Sequence, residues 1–282
     1  MRVAGVDIGG TKTALGLFEG SRLLERSTIE TGPYGATLDR IAEWIALRSP
    51  EAVGVGCRGP LDEETGYLEC VTPEDWHRRP LRQDLESRLP LPMTLVNDAD
   101  AALMGEVGEH ERDPVLLLTL GTGVGGALWT GSHRYRGAFG EHPEIGHVLV
   151  FEDGPACACG LRGCLEHVLC RGGLAYQAEQ AGFGPEIARF LSSDHPGAER
   201  VRQGVWRALA IFAYAYRPGR VVFGGGVTDD FGHLLVPFGQ VGRERFPFLV
   251  RPLQVERARL GNWAGVHGAA RIAREAFGEG RP

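Results

Sequence analysis

Four side chains past the middle of the chain, His147, Cys157, Cys159 and Cys164, bring one imidazole and three thiols within eighteen positions. A Cys-x-Cys pair, four residues and a third Cys, with Gly160 and Gly163 free to turn the loop, suit a tetrahedral Zn²⁺ site. Four protein ligands leave no open position, so such a zinc is structural. Three buried reduced thiols are the other reading, and the crowding weighs against it. Cys57, Cys70 and Cys170 stand apart and read as core residues. Glu144 and Glu166 flank the cluster, three residues before His147 and two after Cys164. A metal pinning that loop would aim both carboxylates, which suits hydrogen bonding to a polyhydroxyl ligand.

A second constellation opens the chain. Asp7-Ile8-Gly9-Gly10-Thr11-Lys12 sets a carboxylate, two glycines, a hydroxyl and an ammonium on one turn. Glycines let backbone N–H groups approach phosphate oxygens, and the hydroxyl and ammonium add donors. Asp7 would repel phosphate, so its use is as a ligand for Mg²⁺, directly or through water. A plain glycine hairpin with solvated Asp and Lys is the equal alternative. Lys12 is the only lysine among thirty cationic residues.

Gly121-Thr122-Gly123-Val124-Gly125-Gly126 is a second glycine turn behind an apolar run. One such loop is also what a tight hairpin needs. Two of them, one per half, suit a polyphosphate pinched between domains. Gly224-Gly225-Gly226 permits close backbone approach to a flat ligand, although alone it reads as a bend. Asn97-Asp98 follows a short apolar run and opens a helical one. An N-cap is the common use of such a pair. In the functional reading Asp98 accepts a proton from a hydroxyl while Asn97 hydrogen-bonds the same ligand.

The elements that must position these residues follow from periodicity. Val3 to Phe18 predicts a hairpin turning at Gly9-Gly10, and Val115 to Trp129 a second one. Laying Asp7 on Thr119 places Gly9 on Gly121, the mark of a duplicated strand-turn-strand unit. Helices are expected over Thr37 to Leu47, Leu81 to Leu89, Ala99 to Gly108, Gly204 to Tyr216 and Gly265 to Phe277. Strands are expected over Ala52 to Gly56, Met93 to Val96 and Arg220 to Phe223. Gly131 to Gly163 is loop-rich. The mixture is α/β, and the charged stretch Glu109 to Pro114 marks the domain boundary.

Composition sets the outer limits. The chain has 282 residues, 43% hydrophobic, enough for a core and for two domains. A net charge of −6 is the wrong sign for a nucleic-acid-binding surface. No stretch approaches the roughly 18 apolar residues of a membrane span, and no signal-peptide pattern opens the chain. A cytoplasmic protein without nucleic-acid or membrane partners is expected.

Taken together the motifs resemble one family. Asp7 to Lys12, Asn97-Asp98-Ala99-Asp100-Ala101-Ala102 and Gly121 to Gly126 look like the phosphate and catalytic motifs of the ROK family. That family comprises bacterial sugar kinases, repressors and open reading frames. Glu144-Ile145-Gly146-His147 and Cys157-x-Cys159-Gly160-x-x-Gly163-Cys164-x-Glu166 look like its zinc and sugar motifs. The resemblance runs in order from Val3 to Ala270, nearly the whole chain. It implies a two-domain α/β fold of the actin/hexokinase (ribonuclease H-like) type with an interdomain cleft. The expected domains are 1–112, completed by a returning helix 265–282, and a larger 113–264 carrying the zinc loop.

The resemblance further implies ATP-dependent phosphorylation of a hexose hydroxyl, with Asp98 as base. Gly59, Asn97, Asp98, Glu144, His147 and Glu166 would contact the sugar. Asp7, Gly9, Gly10, Thr11, Lys12, Gly121, Thr122, Gly123, Gly224, Gly225 and Gly226 would hold ATP and Mg²⁺. His147, Cys157, Cys159 and Cys164 would hold structural Zn²⁺, and a homodimer or homotetramer is expected. The chain also departs from the family. Arg58 stands where the first proline of Pro-Gly-Pro is usual, and Pro143 where a glycine is. Thr72-Pro73-Glu74-Asp75-Trp76 is shorter than the glucokinases' segment and somewhat like the fructokinases'. Glucokinase leads, with fructokinase or N-acetylhexosamine kinase as alternatives. A non-catalytic sugar-responsive regulator is the reading from another class. The family's repressors carry a winged helix-turn-helix before the phosphate motif, so six residues before Asp7, with Asp98 and both glycine turns kept, make the kinase the expected reading.

Overall fold

The computed structural model describes residues 1–69 and 74–278. Cys70, Thr72 and Pro73, singled out above, lie outside the described residues. The chain forms two units. The first combines Met1–Glu109, Arg136–His142 and Trp263–Pro282, and the second His110–Tyr135 and Pro143–Asn262.

In the first unit β1 (Arg2–Ile8), β2 (Lys12–Glu19) and β3 (Arg22–Glu30) form an antiparallel meander. Helix α1 (Tyr34–Ala46) leads to β4 (Ala52–Cys57). A ribbon of β5 (Leu61–Asp62) and β6 (Tyr67–Leu68), helix α2 (Leu81–Glu86), β7 (Met93–Asn97) and α3 (Asp98–Glu106) follow. The sheet order is β3-β2-β1-β4-β7, with β1, β4 and β7 mutually parallel. All six residues of β4 are buried, as a central parallel strand covered on both faces requires. Leu38, Ile41 and Ile45 of α1 recur at helical spacing and bury in one cluster with Val6, Ile8, Val53 and Val55.

In the second unit β8 (Val115–Leu120) and β9 (Val124–Trp129) form the second hairpin. Helices α4 (Leu165–Leu169), α5 (Arg171–Gln180), α6 (Ile187–Leu191) and α7 (Pro196–Ala215) precede β10 (Arg220–Gly224). Helix α8 (Gly226–Leu235), β11 (Gly239–Val241) and β12 (Leu253–Arg257) complete it. The sheet order is β11-β12-β10-β8-β9, with β8, β10 and β12 parallel. Val201, Val205, Leu209 and Phe212 line the buried face of α7 and join Leu116, Leu118 and Phe223 in the core.

Each sheet, among the described residues, has five strands and carries a hairpin whose first strand is extended by two parallel strands. The internal match in the sequence therefore corresponds to a shared sheet topology. Its register holds only up to the turn. Ile8 pairs with Thr13 across four turn residues, whereas Leu120 pairs with Val124 across three.

The last helix, α9 (Ala264–Phe277), belongs to the first unit and packs on β1, β4 and α3. Val266, Ala269, Ala270 and Ala273 are its buried face. Small residues here allow close approach: a Cβ on Gly268 would overlap the Ala101 carbonyl of α3. Among the described residues no helix is long and apolar enough to cross a membrane.

Candidate active site

Parallel pairing in register delivers one set of residues to one sheet edge. Asp7 lies opposite Gly56, Ile8 opposite Cys57, and Cys57 opposite Asn97, so β1, β4 and β7 end together. Ligands of open α/β sheets bind beyond such carboxyl ends. Asp7, Arg58, Gly59, Asn97 and Asp98 therefore emerge side by side. A methyl group on Gly59 would lie 3.2 Å from Asn97 Nδ2. Asn97 is the N-cap of α3, its Oδ1 accepting from Ala99 N at 2.8 Å. Asp98 Oδ1 accepts from the same amide at 2.9 Å.

Burial pushes the Asp98 carboxyl above the ordinary aspartate range; the Ala99 amide, then His142 and Arg58, oppose the shift, and Asp100 adds to it. Asp7 is pushed up to about 7, by burial first and then by the negative charge of Asp98. The first turn of α9 approaches Asp7 so closely that a Cβ on Gly265 would overlap its carboxylate. Gly9 N donates to Lys12 O at 3.1 Å and closes the first glycine turn. The amides of Gly10 and Thr11 have no partner among the described residues and are the ones left for a ligand. Thr11 and Lys12 are exposed.

Two pairs that local sequence does not signal surround Asn97-Asp98. Glu63 Oε1 accepts from Asn97 N at 3.2 Å, and Glu63 also pairs with the Arg136 guanidinium. Asp100, fully buried, lies 3.1 Å from His142 Nδ1. An acid among the alanines of α3 hints at a buried partner, but nothing local names His142.

In the second unit Gly121 N donates to Gly123 O at 2.9 Å and closes the other glycine turn. Val124 N donates to Glu166 Oε2 at 3.1 Å. A methyl on Gly123 would lie 2.9 Å from the same oxygen. Glu166 thus supports the turn. Glu144 is exposed. Gly224-Gly225-Gly226 is a strand-to-helix junction: β10 ends, Gly225 takes φ 87°, and α8 begins. A side chain at Gly225 would be strained and would strike the Leu120 backbone, so glycine is required there.

The thiol cluster is assembled by local turns. Cys157 N donates to Leu161 O at 2.8 Å and Gly160 N to Cys157 O at 3.1 Å. His147 closes a single 3-10 turn, Ile145–His147. The four candidate donor atoms of His147, Cys157, Cys159 and Cys164 all lie within 4.8 Å of one another. Cys159 Sγ is 3.5 Å from Cys164 Sγ, and Cys157 Sγ is 3.4 Å from His147 Nδ1. Ideal Zn–S and Zn–N bonds imply tetrahedral edges of about 3.8 and 3.5 Å. The donor set fits zinc in chemistry, and these two pairs lie close to those edges.

The two sheets, each a hairpin extended by parallel strands, define the actin-like ATPase fold. A ROK hexokinase from Thermus thermophilus matches it with a TM-score of 0.82 at 34% identity, over 99% of this chain and 100% of that one. A ROK family glucokinase from Streptomyces griseus, determined in complex with glucose and AMPPNP, matches with a TM-score of 0.75 at 33% identity. That match covers 97% of this chain and 99% of the other. An N-acetyl-D-glucosamine kinase from Salmonella paratyphi A is 32% identical over 298 residues, covering 94% of this chain and 97% of its own length. The model of the ROK family matches residues 3–276, and the chain belongs to that family.

Proposed function

We propose that the protein is an ATP-dependent sugar kinase that transfers the γ-phosphoryl group of ATP to a hexose hydroxyl, with Asp98 as base. One observation carries the reading. Asn97 caps α3, so Asp98 is not needed as the cap and has a second oxygen for a substrate hydroxyl. Its site, at the joint carboxyl end of β1, β4 and β7, also holds the glycine turn that begins at Asp7.

In the mechanism, Asp98 accepts a hydrogen bond from the sugar hydroxyl and aims its lone pair at the γ-phosphorus. The proton passes to Asp98 as the new P–O bond forms and the bond to the ADP oxygen breaks. Gly59, Asn97, Glu144, His147 and Glu166 orient the sugar. Backbone amides at Gly10, Thr11, Thr122 and Gly123, with Gly9, Gly121 and Lys12, bind the donor's phosphates; Gly224, Gly225 and Gly226 receive its nucleoside. Asp7 is suited to hold Mg²⁺, which when bound neutralises charge on the phosphates. His147, Cys157, Cys159 and Cys164 would hold a structural zinc. With His147 Nδ1 turned to the thiols, its Nε2 remains to meet the sugar.

Relatives acting on glucose and on N-acetylglucosamine are similar at nearly equal identity. A glucose-type hexose is our first choice, and N-acetylhexosamine or fructose the alternatives. Coupled ADP release over glucose, mannose, N-acetylglucosamine and fructose tests the reading. ADP release dependent on one of these sugars is expected, and none with any of them would contradict it.

A further inference from the structure

Arg58 stands where the family usually has an uncharged proline, and its side chain has no hydrogen bond or ion pair among the described residues. Its place is defined from two sides. A methyl group on Gly10 would lie 2.8 Å from Arg58 Nη2 and 2.9 Å from Nη1, so the guanidinium lies against the glycine turn. Cys57 pairs with Asn97 on parallel strands, so Arg58 and Asp98 leave neighbouring strand ends together, and the Arg58 charge favours the ionised form of Asp98. A half-buried guanidinium ordinarily spends its five N–H donors on carboxylates or carbonyls. This one lies near a carboxylate without bonding to it.

We infer that Arg58 is a catalytic residue whose guanidinium contacts the phosphoryl group during transfer. The inference rests on the sugar-kinase reading above. Asp98 takes the proton of the attacking hydroxyl, and the Gly10 turn holds the donor's phosphates. The γ-phosphoryl group leaves the ADP held at the Gly10 turn for the sugar oxygen held by Asp98, and Arg58 lies beside both residues. As the bond from sugar oxygen to phosphorus forms and the bond to the ADP oxygen breaks, charge spreads over the three equatorial oxygens. A planar guanidinium offers paired N–H donors to two of them. The same charge opposes the effect of burial on Asp98 and so favours the ionised form, the one able to accept the proton.

The test compares wild type, Arg58→Ala and Arg58→Lys on the sugar the wild type turns over best. Removing one such donor set lowers kcat by about 10²- to 10³-fold. Arg58→Ala is expected to show that loss with sugar KM within threefold and an unchanged melting temperature. Arg58→Lys should recover only part, because an ammonium is a point charge without the fork. Calorimetry supplies a second readout. ADP alone should bind Arg58→Ala as it binds wild type, whereas ADP with aluminium fluoride and sugar should bind at least tenfold more weakly. Arg58→Ala or Arg58→Lys within threefold of wild-type kcat would overturn the inference and leave the kinase reading standing. Equal loss of ADP and ADP–aluminium fluoride binding would overturn it too. A wild type with no sugar-dependent turnover would overturn both.

Discussion

Glu166 Oε2 accepts a hydrogen bond from Val124 N at 3.1 Å, across 42 residues of chain. A carboxylate two positions beyond Cys164 therefore braces the turn that opens β9. In the sequence these are separate motifs. In the second unit they are mechanically joined.

That link makes Gly123 a sensitive position. Gly123→Ala places a methyl 2.9 Å from Glu166 Oε2 and must displace the carboxylate. Both nucleotide and sugar KM should rise, by about tenfold or more. Glu166→Gln keeps an accepting oxygen for Val124 N, so it should raise sugar KM with nucleotide KM unchanged. Steady-state kinetics of the two variants checks this. Gly123→Ala with altered nucleotide KM alone would detach Glu166 from the sugar.

The thiol loop should carry about one zinc per chain by elemental analysis. Cys159→Ser should lower metal content, melting temperature and sugar affinity together, because the loop bearing Glu144 and the start of α4 bearing Glu166 lose their anchor. Metal-free protein with full activity and stability would contradict the assignment.

Asp7 gives a pH prediction with a definite sign. Its pKa is about 7 in the folded protein against 3.8 for an exposed aspartate. The folded state thus favours the neutral acid. Its contribution to stability is full below pH 3.8 and is lost as pH rises to about 7, at a limiting slope of about 1.4 kcal/mol per pH unit. Asp7→Asn removes this titration. The melting temperature of Asp7→Asn relative to wild type should therefore climb from about pH 4 to about pH 8. Millimolar Mg²⁺ at the alkaline end should stabilise wild type and not the variant. Parallel melting curves across that range would contradict the account.

What the sequence discloses divides along the range of the contacts. The glycine turns, Asn97-Asp98 and the thiol loop each need a local residue pattern, and each could be read. Strand β3 could not: only Ser27, Leu23 and Ile29 are even half-buried, so an edge strand shows almost no apolar alternation. Asp100–His142 and Glu63–Arg136 join positions 42 and 73 apart, and no window of sequence holds both partners. Arg58 is visible as a departure from the family, but its resting place on Gly10 depends on how β1 and β4 pair. The one-residue difference between the two glycine turns is likewise a matter of register, which composition does not carry.

The central claim concerns Asp98, and Asp98→Asn isolates it. Asn97 already caps α3, so the substitution keeps the helix and changes only basicity. Burial raises the Asp98 carboxyl, so wild-type kcat/KM should rise with pH through an acid limb above the ordinary aspartate range. The measurement is kcat and kcat/KM of Asp98→Asn and wild type across that range, with sugar binding and melting temperature determined alongside. The account predicts a kcat lower by about 10²- to 10⁴-fold, without the acid limb, in a folded protein that still binds sugar. A kcat near that of wild type, with the acid limb intact, would show that Asp98 is not the base.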